Sequence, residues 1–242
     1  MKCIAIIPAR YASTRFPGKP LVEINGKPMV QHVYERAMSS ELFKRVIVAT
    51  DDERIQTTVL GFGGEAVITK SSHQSGTDRC GEVIYGVNEP FDVVVNIQGD
   101  EPFIQHEQLE ELVNLFKSTP AQIGTLKKAI SNVDDVFNPN IVKVVSGPDK
   151  RALYFSRNPI PFIRDAEKET WLNKHTFFKH LGLYGYRFEI LKELVQLRPS
   201  VLELSENLEQ LRWLENGYRI FIAETHYESI GIDTPEDLSQ IM

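Results

Sequence analysis

The 242-residue chain carries 27 basic against 33 acidic side chains, a formal net charge of -6. That balance argues against a general nucleic-acid binder, whose affinity comes from neutralising many phosphates, so any anion site must be a local concentration of cations. Hydrophobic residues make up 42% and charged residues 25%, ordinary for a soluble globular chain, and no window approaches a membrane-spanning length or a secretion signal.

The first predicted strand is the apolar run 3–7, followed by Pro8-Ala9-Arg10-Tyr11-Ala12-Ser13-Thr14-Arg15-Phe16-Pro17-Gly18-Lys19-Pro20. Pro28 then suits the first turn of a helix whose Met29, Val30, Val33 and Ala37 recur at helical spacing. A strand at 46–50 leads through Thr50, Asp51 and Asp52, a helix cap, to Ile55 and Val59, and Gly61, Gly63 and Gly64 stop that helix. Further strands are predicted at 66–69, 93–98 and 141–146.

From about Arg151 the pattern changes: aromatics crowd 153–155 and 177–186, and a charged, helix-poor stretch runs over 163–174. A helix over 202–216, a strand at 219–224 and a terminal helix announced by Asp233-Thr234-Pro235-Glu236 complete the chain. Short β-branched runs alternating with helical patterns predict an α/β fold with a doubly wound, mostly parallel sheet. It forms a single domain over 1–242 with an inserted lobe at about 151–200. Cys3 and Cys80 are too few for a disulfide framework and lack zinc-ligand spacing, so a reduced, cytoplasmic protein is expected.

Two segments carry chemistry. Arg10, Arg15 and Lys19, with two hydroxyls, a glycine and three prolines, sit in one loop after the first strand. They suit a rigid electropositive cradle for a nucleotide triphosphate at the carboxyl edge of the sheet. The apolar run Val93-Val94-Val95-Asn96-Ile97 ends in Gln98-Gly99-Asp100-Glu101-Pro102. A lone carboxylate at that strand end can hold a hard cation that accepts phosphate oxygens, Mg²⁺ being the natural one, or Asp100 can cap the next helix. His73-Gln74-Ser75-Gly76-Thr77-Asp78-Arg79 reads locally as a turn with a helix cap, and Asp233 as an N-cap.

Taken together, segments 7–21, 73–79, 96–102, 154–157, 180–186, 207–212 and 231–238 closely resemble, in order, the 3-deoxy-manno-octulosonate cytidylyltransferase family. The resemblance implies transfer of CMP from CTP to the anomeric hydroxyl of the acidic sugar Kdo, with release of pyrophosphate, for lipopolysaccharide synthesis. It also implies the nucleotide-diphospho-sugar transferase type of fold. Arg10, Arg15, Lys19 and Asp100 are then catalytic, and Arg10, Ser13 and Lys19 face the triphosphate. Gln74, Ser75, Gly76, Thr77 and Arg79 belong to the nucleotide site with Asp100, and the family carries Glu where this chain has Asp78. Asp100 and Asp233 match its metal-binding carboxylates. Gln98, Arg157, His180, Tyr184, Glu209 and Gln210 match its sugar-binding set, with Arg157 gripping the sugar carboxylate. The partners implied are CTP, Kdo and a second copy of the chain in a homodimer whose lobe contributes to dimerisation and sugar binding, with no nucleic acid and no membrane. Rival readings are a sialic-acid cytidylyltransferase, whose loop differs from Ser-Thr-Arg-Phe-Pro-Gly-Lys, a sugar-1-phosphate nucleotidyltransferase, which has a richer glycine loop, and a nucleotide sensor without catalysis.

Overall fold

A computed structural model describes residues 1–12, 16–228, 231–232 and 234–239. In chain order the strands are β1 (Cys3–Ala9), β2 (Glu23–Ile24), β3 (Lys27–Pro28), β4 (Phe43–Thr50), β5 (Ala66–Ile68), β6 (Val93–Asn96), β7 (Ile123–Ala129), β8 (Lys143–Ser146), β9 (Ala152–Ser156), β10 (Phe178–Arg187) and β11 (Ile220–Glu224). The helices are α1 (Met29–Ser39), α2 (Glu53–Gly61), α3 (Gly76–Tyr85), α4 (His106–Ser118), α5 (Val133–Phe137), α6 (Trp171–Lys174), α7 (Phe188–Leu194), α8 (Val201–Glu206), α9 (Glu209–Glu215) and α10 (Pro235–Ser239). The main sheet runs β11-β7-β10-β6-β1-β4-β5, with β8 and β9 attached beside β10.

The two-residue period of β1 builds both layers. Cys3, Ala5, Ile7 and Ala9 face a core made with Val30 and Val33 of α1, Ile55 of α2 and Leu109 and Leu112 of α4. Ile4 and Ile6 face the opposite core, with Cys80 and Ile84 of α3, Leu191 of α7 and Trp213 of α9. A strand covered on both faces has to be apolar throughout, which is why this run reads as a buried strand in the sequence.

Strands β5, β4, β1 and β6 pair in parallel, so their carboxyl ends share one edge. Strand β10 enters between β6 and β7 antiparallel to both, and its first residues therefore lie at that same edge. The stretch 151–200 is thus divided. Residues 178–187 are central sheet, whereas Trp171 and Phe177 join Ile130 and Val136 in a small satellite core.

The helix expected over 202–216 is two helices. Ser200 and Glu203 form a reciprocal cap at the start of α8, and Asn207 ends it in the left-handed region at φ 52°. The α4 cap is Gln105, with Gln108 reciprocating, so Asp100 is not a helix cap. At α10 the cap is Thr234: its hydroxyl accepts from the Asp237 N–H at 3.3 Å and the Asp237 carboxylate from the Thr234 N–H at 2.9 Å. Asp233 lies outside the described residues, as do Ser13 and Arg15.

Gly99 fixes how closely the ends of β1 and β6 approach. A Cβ there would lie 2.8 Å from the Pro8 carbonyl oxygen, and neither partner is a flexible side chain. Gly99→Ala is expected to cost about 2 kcal/mol, the scale of an overpacked core, seen as a lower urea midpoint at unchanged slope. An unchanged midpoint would show that the two strand ends can separate freely.

Candidate active site

The carboxyl edge opens into a cleft of about 250 Å³ lined by Arg10 and Lys19 from the loop after β1, Gln98, Gly99 and Asp100 from the end of β6, and His73, Gln74, Ser75, Gly76 and Arg79 from the segment entering α3. The resemblance assigned Arg10, Lys19, Gln74, Ser75, Gly76, Arg79 and Asp100 to a nucleotide site and Gln98 to the sugar, and the topology brings them together. Thr77 differs: it is buried and its hydroxyl donates to Glu209 Oε2 at 2.6 Å, so it does not line the cleft.

Lys19 sits in a short 3-10 turn, Lys19–Leu21, entered through Gly18 at φ 73°. The left-handed backbone demands glycine there, and a Cβ would also press on the Tyr11 ring at 3.2 Å. The Gly18 N–H closes the loop on the Tyr11 carbonyl at 2.9 Å. Arg54 lies 3.4 Å from the Tyr11 ring centre and is itself held by both Asp52 oxygens at 2.9 and 2.6 Å. No local pattern in the sequence signals this brace.

The Lys19 ammonium donates to Asp100 Oδ2 at 2.6 Å across 81 residues of chain. Lys19 is buried and the Asp100 side chain about one-third exposed. The backbone carbonyl of Asp100 accepts from the Ile232 N–H at 2.9 Å. Ile232 is buried with Ile24 and Met29, and Phe16, Phe103 and Leu238 pack against them. The cationic loop, the Gly-Asp-Glu-Pro turn and the segment next to Asp233 thus share one small core.

Arg79 lines the cleft and is also structural. Its guanidinium is buried, with one nitrogen on Asp51 at 3.1 Å and another on the Thr69 hydroxyl, tying α3 to the ends of β4 and β5. Gln98 reaches the Gly182 carbonyl at 3.4 Å, linking the cleft to the first half of β10.

Of the residues expected to bind sugar, Gln98 alone lines this cleft; the others surround the start of β10 and of α9. A register shift in β10 between Leu181 and Tyr184 sits beside the cleft, and the Thr125 hydroxyl supports it from below, 3.1 and 2.8 Å from the Leu181 and Leu183 carbonyls. His180 Nε2 lies 3.0 Å from the same hydroxyl. Tyr184 is buried between His180, Tyr186 and Trp213, and its hydroxyl has no hydrogen-bond partner among the described residues. Burial raises the carboxyl of Glu209 above its ordinary value, despite its bonds from Thr77 and Ser75. Gln210 is buried beside it.

Arg157 is engaged more fully than the sequence suggested. Three of its nitrogens donate to the carbonyls of Glu206, Pro139 and Asn207 at 2.7, 3.0 and 3.2 Å, satisfying the exposed C-terminal carbonyls of α8. Its own carbonyl accepts from Lys143, a fully buried ammonium whose other acceptors are the Asn138 and Ile141 carbonyls at 2.8 and 2.6 Å. The lone cation in the run Ile141-Val142-Lys143-Val144-Val145 was the one sequence signal for this knot.

Burial depresses the His180 imidazole to about 3 from 6.5. The unfolded chain therefore binds the extra proton between those values, so the stability His180 contributes is full above about pH 6.5 and is lost as pH falls toward 3. Its ring carbons are expected to show no NMR titration between pH 8 and 5; a midpoint near 6.5 would place the ring in water.

Residues 4–222 match the cytidylyltransferase family model. The chain is 54% identical over its whole length, and over 97% of the relative, to the 3-deoxy-manno-octulosonate cytidylyltransferase of Parabacteroides distasonis. It is 55% identical, over 98% of this chain and 95% of the relative, to the enzyme of the same name from Cytophaga hutchinsonii. Its structure is similar, at a TM-score of 0.92 and 42% identity, over all of this chain and 97% of the other, to a CMP:2-keto-3-deoxy-manno-octonic acid synthetase complexed with CTP.

Proposed function

The chain belongs to the 3-deoxy-manno-octulosonate cytidylyltransferases, and on that footing we propose that its sheet-edge cleft is where CMP passes from CTP to the anomeric hydroxyl of Kdo. The hydroxyl oxygen forms the new bond to the α-phosphorus, the bond from that phosphorus to the β-phosphate oxygen breaks, and pyrophosphate leaves. The observation that carries the assignment of roles is the Lys19–Asp100 contact, which sets a phosphate-seeking cation and a metal-seeking carboxylate against each other at the mouth of the cleft.

Arg10 and Lys19, with Ser13 and Arg15, hold the triphosphate and offset the charge that accumulates on its oxygens during in-line attack. The segment from Gln74 to Gly76 forms the base wall. A Cβ on Gly76 would lie 3.0 Å from the Pro8 ring, so glycine there keeps the wall close to the end of β1.

The donor set fits Mg²⁺. Asp100 already holds a cation through one carboxylate oxygen, its carbonyl is tied to the residue preceding Asp233, and hard oxygen donors suit that ion. Asp100 and Asp233 would hold it, and when bound it supplies charge neutralisation on the phosphates and a lower pKa for the sugar hydroxyl. Asp100 is exposed to such an ion once Lys19 shifts its ammonium to a phosphate.

Gln98 and the buried hydroxyl of Tyr184, which has no partner among the described residues, suit the sugar hydroxyls, and Glu209 and Gln210 complete that wall. Arg157 has two of its five donors uncommitted to the three carbonyls, enough for a bidentate grip on the Kdo carboxylate. A role in lipopolysaccharide synthesis in the cytoplasm follows from the activity. Apolar Leu153 of edge strand β9, Val201 and Leu204 of α8, and Phe162 are more than 60% exposed, and Ser156 of β9 bonds Glu206 of α8 at 2.7 Å. That surface suits a symmetric dimer; light scattering at the 27.6 kDa of one chain would remove it.

Release of pyrophosphate from CTP is expected to require both Kdo and Mg²⁺; release at the full rate without Kdo would replace transfer by hydrolysis. Asp100→Asn is expected to lower turnover about a thousandfold, as for loss of a preorganised charge, with an unchanged circular dichroism spectrum. Near-normal turnover would remove Asp100 from the reacting centre.

A further inference from the structure

Residues 70–75, between β5 and α3, form one wall of the cleft through His73, Gln74 and Ser75. The ends of the segment are anchored: the Thr69 N–H donates to the Thr50 carbonyl at 2.8 Å, and Ser75 caps α3 by accepting from the Asp78 N–H at 3.1 Å. Between those ends, the Gln74 amide stays within the loop on the Ser72 carbonyl at 2.9 Å. Among the described residues, both hydrogen bonds that leave 70–74 for the rest of the chain converge on one atom, Oε2 of Glu82. The Lys70 N–H donates to it at 2.9 Å, and the His73 ring donates through Nε2.

A carboxylate only accepts, so His73 carries a proton on Nε2, and a carboxylate oxygen has lone pairs for both donors. Partial burial pushes the Glu82 carboxyl up, but the Lys70 amide and the His73 ring outweigh it and the net shift is downward, which keeps the acceptor ionised at neutral pH. Neither Glu82 nor Lys70 lines the cleft.

We propose that Glu82 is the positioning residue of the base wall: from α3 it holds the backbone at Lys70 and the ring of His73 so that 73–76 stand at the right distance from the end of β1. This inference rests on reading 73–76 as the wall that meets the base of CTP. It acts before the chemical step and on the base, not on the phosphates, so Glu82 governs affinity for the nucleotide and leaves the reacting centre alone.

Three measurements test it together. Glu82→Ala is expected to raise the KM for CTP ~10-fold, the scale of leaving donors without their acceptor, with kcat held within about twofold. Competitive inhibition by inorganic tripolyphosphate, which engages the cationic loop alone, is expected to stay as in the wild type. Glu82→Gln offers an amide oxygen with two lone pairs in the same place and is expected to return KM to within about twofold of the wild type. An unchanged KM in Glu82→Ala, a fall in kcat instead, a parallel loss of tripolyphosphate binding, or a Gln variant as poor as the Ala variant would each overturn the proposal. Amide resonances of the wild-type protein separate this from the reading beneath it. If CTP leaves the signals of 73–76 unmoved, the base wall lies elsewhere; if they move and Glu82→Ala still binds CTP normally, the role of Glu82 alone fails.

Discussion

The cleft depends on a lysine and an aspartate neutralising each other at the ends of adjacent parallel strands. Lys19 follows β1 and Asp100 follows β6, and β1 pairs β6 directly, so the topology alone places the two loops side by side. Lys19 is buried while the Asp100 side chain is about one-third exposed, so the pair spares the lysine the cost of an unpaired buried charge. Pairing them satisfies both charges where the ends of β1 and β6 meet.

Strand β10 brings more than strand ends to this edge. In an all-parallel sheet the edge beyond β6 would carry only strand ends, whereas an antiparallel strand contributes the beginning of its run there. His180 and Tyr184 thereby reach the same edge as Asp100, and the displaced register around Gly182 turns a carbonyl toward Gln98. The buried Thr125 hydroxyl of β7 lies within hydrogen-bond distance of the carbonyls on both sides of that irregularity.

Much of this was legible. Strands buried on both faces, as β1 and β6 are, announce themselves as unbroken apolar runs, and a cationic loop after the first of them stands out in an acidic chain. Strands β7 and β10 do not stand out in the sequence, because their glycines and lysines interrupt the apolar run that marks β1 and β6. The structure gives those glycines another reason. Gly124 and Gly185 face each other across the two strands, and a Cβ on either would meet the Phe116 ring at 2.9 and 2.7 Å. They are flat ground for an aromatic ring from α4, a tertiary demand invisible to local pattern. The break at Asn207 was hidden for a related reason: the helical periodicity continues past it, and the compensation for the lost turn comes from Arg157, fifty residues earlier.

Arg157 shows how far position and chemistry can be separated. A residue that only gripped a sugar carboxylate would need freedom to adjust; this one is fixed by three carbonyls and has its own carbonyl fixed by Lys143. The buried ammonium is tolerable because all three of its protons have acceptors, and desolvation still lowers its pKa, with Glu206 opposing that shift. Glu206 in turn accepts from the Ser156 hydroxyl and the Arg157 N–H. β8, β9 and the turn between α8 and α9 are therefore one hydrogen-bonded unit, and α9 begins within that unit with Glu209 and Gln210. Glu209, Gln210 and the edge carrying the exposed apolar residues share this unit, so any association through β9 and α8 bears directly on the geometry around Arg157.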